Sequence, residues 1–131
     1  MGLDVADMAG RIRSLHGQLL ILDVDLAALF GVTPERLNAL VRERRSPVAK
    51  EFAFPVGLKE IGNLEPGLED PGIGSARSTW LVYTEHGVLV AGDVLDDPHA
   101  VQQSIRLIRA FVAKRERAES AQRKKPRERL H

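Results

Sequence analysis

The sequence predicts an α+β domain: an N-terminal β-hairpin, a helix-turn-helix, further short β-strands and a long C-terminal amphipathic helix. Three observations carry that expectation. Short strand-like runs occur at residues 11–22, 52–56 and 80–83; helical i, i+3, i+4 spacing fills the intervals; and Gly or Pro stands at most changes of period. With 131 residues, 44% of them hydrophobic and 28% charged, the chain can bury one core without help from disulfides or metal. It contains no Cys, which excludes disulfide scaffolds, Cys-containing zinc sites and Cys nucleophiles, and is compatible with a reducing cytosol. No apolar run approaches the roughly 20 residues of a membrane helix. Met1-Gly2-Leu3-Asp4 has no basic stretch leading into an apolar region, so the expectation is a cytoplasmic protein with no membrane association.

Each element has a local reason. Arg11–Leu15 and Gln18–Leu22 are strand-like and are separated by His16-Gly17, a two-residue break suited to a hairpin turn. From Asp23 the period changes, with Leu26, Leu29 and Phe30 on one helical face, Asp23 or Asp25 available as caps, and Gly31 as the stop. Thr33-Pro34 starts a second helix to about Arg45, because Thr caps and Pro has no N–H to leave unsatisfied at the first position. Phe52–Val56 alternates like a half-buried strand, and Leu58–Leu64 suits one or two helical turns. Residues 62–79, rich in Gly and Pro, read as an exposed, mobile loop. Trp80–Tyr83 returns to strand chemistry, Thr84 caps a helix from Glu85 to about Leu95, and Asp97-Pro98 opens the last helix. There Val101, Ile105, Ile108 and Val112, with Ser104, Leu107 and Phe111 beside them, hold one apolar stripe, which suits either the core or a dimer seam, core being the commoner use of such a face. The expected organisation is a flexible N-terminus at 1–10, a folded domain at 11–116 and a basic, disordered tail at 117–131.

The net charge of +1 conceals an asymmetry. Residues 1–35 sum to −3, 36–50 to +4, 51–113 to −5 and 114–131 to +5. Two basic islands in an acidic body suit contact with a polyanion at defined places, though a solvated helix face and tail would show the same sums. The first island coincides with the second helix of the helix-turn-helix. Ala27 is small where two helices would cross, Gly31 permits a positive-φ turn, and Leu26, Phe30, Val32, Leu37 and Leu40 suit the inward positions. If Leu37, Leu40 and Val41 face inward, then Glu35, Asn38, Ala39, Arg42 and Arg45 face outward, with Thr33 at the exposed start. Those six are the base-reading candidates: Asn pairs with adenine, Arg with guanine, Glu accepts from cytosine and a methyl packs on thymine. Arg36, Arg44 and Lys50 suit phosphate contacts that hold register without reading sequence. The partner so implied is double-stranded DNA. A packed αα-corner that never meets DNA would use the same apolar pattern.

At these residues the chain resembles the DNA-binding domain at the N-terminus of phage antirepressor-like proteins, the Orf six N-terminal class related to KilA-N domains. The resemblance runs from about Ile12 to Glu116 and is carried by Leu22-Asp23-Val24-Asp25-Leu26-Ala27-Ala28-Leu29-Phe30-Gly31-Val32 and Arg36-Leu37-Asn38. Glu51-Phe52-Ala53-Phe54, Thr84-Glu85-His86-Gly87 and Arg109-Ala110-Phe111-Val112 follow in the family's order. The chain departs from it around Pro47–Lys50 and in the shortened, Gly-rich 62–79. The resemblance implies a DNA-binding module of phages, prophages and bacteria, a regulator of transcription often joined to a separate carboxy-terminal domain; no such second domain is expected within these 131 residues, which suits a stand-alone binder, a truncated chain or a prophage remnant alike.

Two rivals stand beside it. For an enzyme, His16, His86, His99 and His131 are scattered, without metal-ligand spacing, a nucleophile arrangement or a phosphate loop, so no catalytic residue, metal or cofactor is expected. His86 beside Glu85 is the one acid–base pair to weigh, and a capping or packing role suits it better. The other rival is a protein-interaction module that binds a partner, a repressor or another protein, or dimerises through the last helix without reading DNA. A homodimer is compatible with DNA binding, since helix-turn-helix proteins commonly bind as symmetric pairs.

Overall fold

A computed structural model describes residues 5–45, 49–67 and 79–124. The order is α1 (Val5–Arg11), β1 (Arg13–Leu15), β2 (Gln18–Leu22), α2 (Asp23–Phe30), α3 (Pro34–Arg44), β3 (Ala53–Gly57), α4 (Leu58–Ile61), β4 (Thr79–Thr84), α5 (Glu85–Leu95) and α6 (Pro98–Lys124). The α+β class, the N-terminal hairpin, the further short strands and the long C-terminal helix are as the sequence predicts. Four strands form one antiparallel sheet in the order β1-β2-β4-β3. The hairpin turns at His16 and Gly17, both with positive φ.

Period-two alternation gives this sheet two apolar faces. Leu20, Leu22, Trp80, Val82 and Val56 pack on one face with Ile61 and Leu64, which supply the cover from α4 and the segment after it. Ile21, Ala53 and Tyr83 point to the other face, into the larger core shared by α1, α2, α3, α5 and α6. The motif segments at 51–54 and 84–87 meet at the junction. Thr84 Oγ1 donates to the Glu51 carbonyl at 2.5 Å, Thr84 N–H donates to the Phe52 carbonyl at 3.0 Å, and Thr84 Oγ1 accepts from Gly87 N–H at 3.1 Å. Gly87 is required there: a Cβ would lie 1.8 Å from the Phe52 carbonyl oxygen.

Four expectations are corrected. Residues 5–10 are not a flexible arm, because α1 folds onto α6 with Met8 fully buried, and Arg11 reaches Asp25 of α2 at 2.5 Å. Neither Asp23 nor Asp25 caps α2; the N-cap is Leu22, without a side-chain bond. The basic tail is helical through Lys124, since α6 continues well past its last core contact; residues 125–131 of the expected disordered tail lie outside the described residues. Most consequential is the stripe on α6. Ala100, Gln103, Ser104, Leu107, Ala110 and Phe111 are buried, while Val101 and Ile105 are 43% and 44% exposed. Of the expected loop 62–79, residues 68–78 lie outside the described residues, and Glu65 before them bridges to Ser14.

Candidate nucleic-acid interface

α2 ends and α3 begins within three residues, and each has a visible cause. Gly31 takes φ 74°, the left-handed conformation that closes α2, and its N–H bonds back to Ala28. Thr33 Oγ1 accepts from Arg36 N–H at 3.1 Å, so Thr33 caps α3 as its sequence predicts, with Pro34 at the first position. Ala27 is fully buried, and Leu26, Phe30, Leu37 and Val41 join the same core, with Val32 and Leu40 partly buried against it.

α3 presents its inward face through Leu37, Asn38 and Val41. Asn38 is therefore corrected from a base-reading candidate to a buried anchor. Its Nδ2 donates to Asp23 Oδ2 at 2.9 Å, and its Oδ1 accepts from the Tyr83 hydroxyl at 2.8 Å. This links the turn-facing side of α3 to the start of α2 and to the central strand β4. The signal was present in the spacing: Pro34, Leu37, Asn38, Val41 and Arg45 are related by i, i+3, i+4, i+7 and i+11, one helical face. Counting only apolar residues hid the polar member. Asp23 and Tyr83 were missed for the same reason, since a buried polar group is recognisable only once its partner's position is known. Burial pushes the Tyr83 phenol above its ordinary range, the Asp23 carboxylate adds to that, and the Arg42 charge opposes it. Tyr83 accordingly stays a neutral donor toward Asn38.

The opposite face is solvent-exposed at Thr33, Glu35, Arg36, Ala39, Arg42, Glu43 and Arg44. Ala39 lies in the middle of this face, in a shallow depression that it bounds with Arg36, Leu40 and Glu43. Glu35 in the first turn and Arg42 and Arg44 in the last also complement the helix dipole, which gives the charges a local reason. Arg45 is turned toward α5, where its Nη2 lies 3.1 Å from Asp93 Oδ2; both groups are exposed, so the pair holds Arg45 loosely. Lys50 is exposed in the turn leading to β3. The structure thus brings five of the six base-reading candidates to the surface in or next to α3 and removes Asn38 from that set.

A separate groove of about 990 Å³ lies away from α3, between the hairpin turn, the start of α5 and the C-terminal half of α6. Glu85 and His86 line it, but they do not form the acid–base pair weighed above. Arg115 engages Glu85, and the His86 ring packs edge-on to Phe52 with centroids 5.6 Å apart. Among the described residues, no helix is long and apolar enough to cross a membrane.

Comparison with known proteins found no match among curated proteins and none among solved structures. The family model of the ORF6N domain matches residues 10–94, more than half of the chain. That span runs from the end of α1 through the α2–α3 unit and the 51–54 and 84–87 junction to the end of α5. On this match the chain belongs to the ORF6N domain family, which is consistent with a phage-type regulatory domain.

Proposed function

We propose that the chain is a sequence-specific DNA-binding protein of phage or prophage antirepressor type, which regulates transcription by laying α3 in the major groove. The observation that carries this reading is the division of α3 into two faces. Leu37, Asn38 and Val41 are committed to the protein, while Thr33, Glu35, Arg36, Ala39 and Arg42 are left to solvent along a capped helix. Arg42 is the residue suited to guanine, Ala39 to a thymine methyl, and Glu35 to a cytosine amino group. Arg36, Arg44 and Lys50 then supply phosphate contacts. Such a protein acts in the cytoplasm of a bacterial or phage-infected cell, as a homodimer, as a binder without a reaction step or a cofactor.

The test is binding of the intact chain to a random duplex pool across a salt series, beside Arg42→Ala. Log affinity falls steeply with log salt, and Arg42→Ala costs about 1–3 kcal/mol with relaxed selection at one base position. A flat salt response overturns the reading. A second reading, a protein-interaction module working through α6, is favoured by the exposure of Val101 and Ile105; its mark is a stable protein partner, such as a repressor, together with no DNA affinity.

A further inference from the structure

The apolar side chains that α6 leaves wholly or partly at the surface are ordered. Val101, Ile105, Ile108 and Val112 succeed one another at intervals of four, three and four residues, and Arg115 and Glu119 continue the row at three and four. That is the a/d repeat of a helix-pairing seam, narrower than the stripe a helix turns to a globular core. The core of this protein draws mainly on a different face of α6: Val101 and Ile105 are exposed, while Ile108 and Val112 at the other end of the row are half-buried, Ile108 resting partly against that core. The row's four apolar members are all β-branched.

We propose that this row is the seam of a symmetric dimer, in which α6 of a second copy of the chain packs antiparallel along it. Charge selects the orientation. Residues 93–97 around the start of α6 carry three acidic and no basic side chains, whereas 114–124 at its other end carry five basic and two acidic. In an antiparallel pair Arg117 of each copy lies over the Asp96–Asp97 turn of the other, Lys114 and Arg115 being held within their own chain by the Ile12 carbonyl and Glu85, and the helix dipoles oppose. A parallel pair would stack like charges at both ends. The antiparallel register also satisfies the repeat. Ile105 meets Ile108 of the second copy and Val101 meets Val112, with each contact made twice by the two-fold axis. Arg115 and Glu119 then fall beyond the apolar contact, where charge is tolerated. Asp97 is fixed for this role, since its carboxylate accepts from Ala100 N–H at 3.2 Å at the start of the helix.

The seam deepens the dimer of the functional reading without depending on DNA. Sedimentation of the full chain over a concentration series reads the monomer–dimer equilibrium. Ile105→Asp places a charge in both halves of the seam and raises the dimer Kd by about a hundredfold or more, whereas Leu58→Asp, at an exposed apolar residue on α4, leaves it unchanged. Because the chain has no Cys, orientation is read directly: Val101→Cys and Val112→Cys chains cross-link when mixed and oxidised, and neither cross-links to itself. The cross-link keeps Ile105 intact and so does not depend on how Ile105→Asp folds. A chain monomeric at every concentration, a dimer indifferent to Ile105→Asp, or a Val101→Cys chain cross-linked to itself overturns the seam. A seam-dependent dimer without DNA affinity supports the seam and removes the functional reading. A monomer whose DNA affinity falls steeply with salt overturns the seam and keeps that reading.

Discussion

α3 and α6 are both two-faced helices, but they divide their residues by different rules. On α3 the buried face includes a polar residue, Asn38, and its apolar members Leu37 and Val41 are the ones the sequence places inward. On α6 the β-branched Val101 and Ile105 stand at the surface with Ile108 and Val112 half-buried beside them, and the buried face is built largely from Ala100, Gln103, Ser104 and Ala110, with Leu107 and Phe111 as its large members. The difference comes from what each helix packs against. α3 crosses α2 and α5 through ordinary side chains, whereas α6 runs so close to α5 that a Cβ on Gly92 would lie 2.7 Å from Ser104 Oγ and 2.8 Å from Ser104 Cβ. Where backbones approach that closely, small residues are the buried ones, and Val101 and Ile105 at the start of the greasiest stripe are left for another use.

The largest effect separating the two faces of α6 is expected at Leu107 and Ile105, two residues apart. Leu107→Ala removes a fully buried side chain and costs about 2–5 kcal/mol, while Ile105→Ala on the dilute, monomeric protein costs less than about 1 kcal/mol. Denaturant melts at low protein concentration measure both. Equal costs would mean that Val101 and Ile105 belong to the core after all and that the division of α6 is wrong.

This contrast marks where the sequence could be read. The hairpin at His16-Gly17, the Gly31 turn, the Thr33 and Thr84 caps and the start of α6 at Pro98 are local, determined by conformational freedom or by a hydroxyl within three residues of its partner. Those features were legible. The rotation of α6 about its axis was not, because it is set by Gly92 on another helix, and a pattern that ranks residues by hydrophobicity selects Val and Ile over Ala and Ser. α1 was missed for a related reason: seven residues with only Val5 and Met8 as larger apolar side chains form a helix because α6 is there to receive it. On the candidate interface, the exposed set and the inward position of Asn38 were both legible from periodicity, but the bonds that let a polar residue stand there were not, since its partners lie 15 and 45 residues away.

Asn38 gives the next largest effect. Asn38→Ala leaves the Asp23 carboxylate short of one donor and the Tyr83 hydroxyl without its acceptor inside the core, for a loss of about 3 kcal/mol in unfolding free energy. Tyr83→Phe, which keeps the Asn38–Asp23 bond, costs about 1 kcal/mol. Had Asn38 been a base reader, Asn38→Ala would leave stability untouched and change only DNA selection. Thermal or urea unfolding in the absence of DNA distinguishes the two roles, because a surface residue of α3 such as Ala39 has no such network to lose.

The smallest effect is the most specific to the α5–α6 contact. Gly92→Ala adds one methyl where Ser104 Oγ and Cβ already stand, and the Cβ cannot swing away as a rotating hydroxyl can. The helices must separate by a fraction of an ångström, at a cost of about 1–2 kcal/mol after the helix propensity of Ala over Gly is credited. In a Ser104→Gly background both obstructing atoms are gone and the next neighbour, the Ala100 carbonyl oxygen at 3.6 Å, is at ordinary contact distance. There the same Gly92→Ala change should lose its penalty and stabilise by up to about 1 kcal/mol, the propensity term alone. The sign reversal in this double-mutant cycle depends on the closeness of the two helices and not on burial in general. If Gly92→Ala is equally destabilising in both backgrounds, steric contact with Ser104 is not what keeps the buried face of α6 small, and the placement of Val101 and Ile105 at the surface needs another cause.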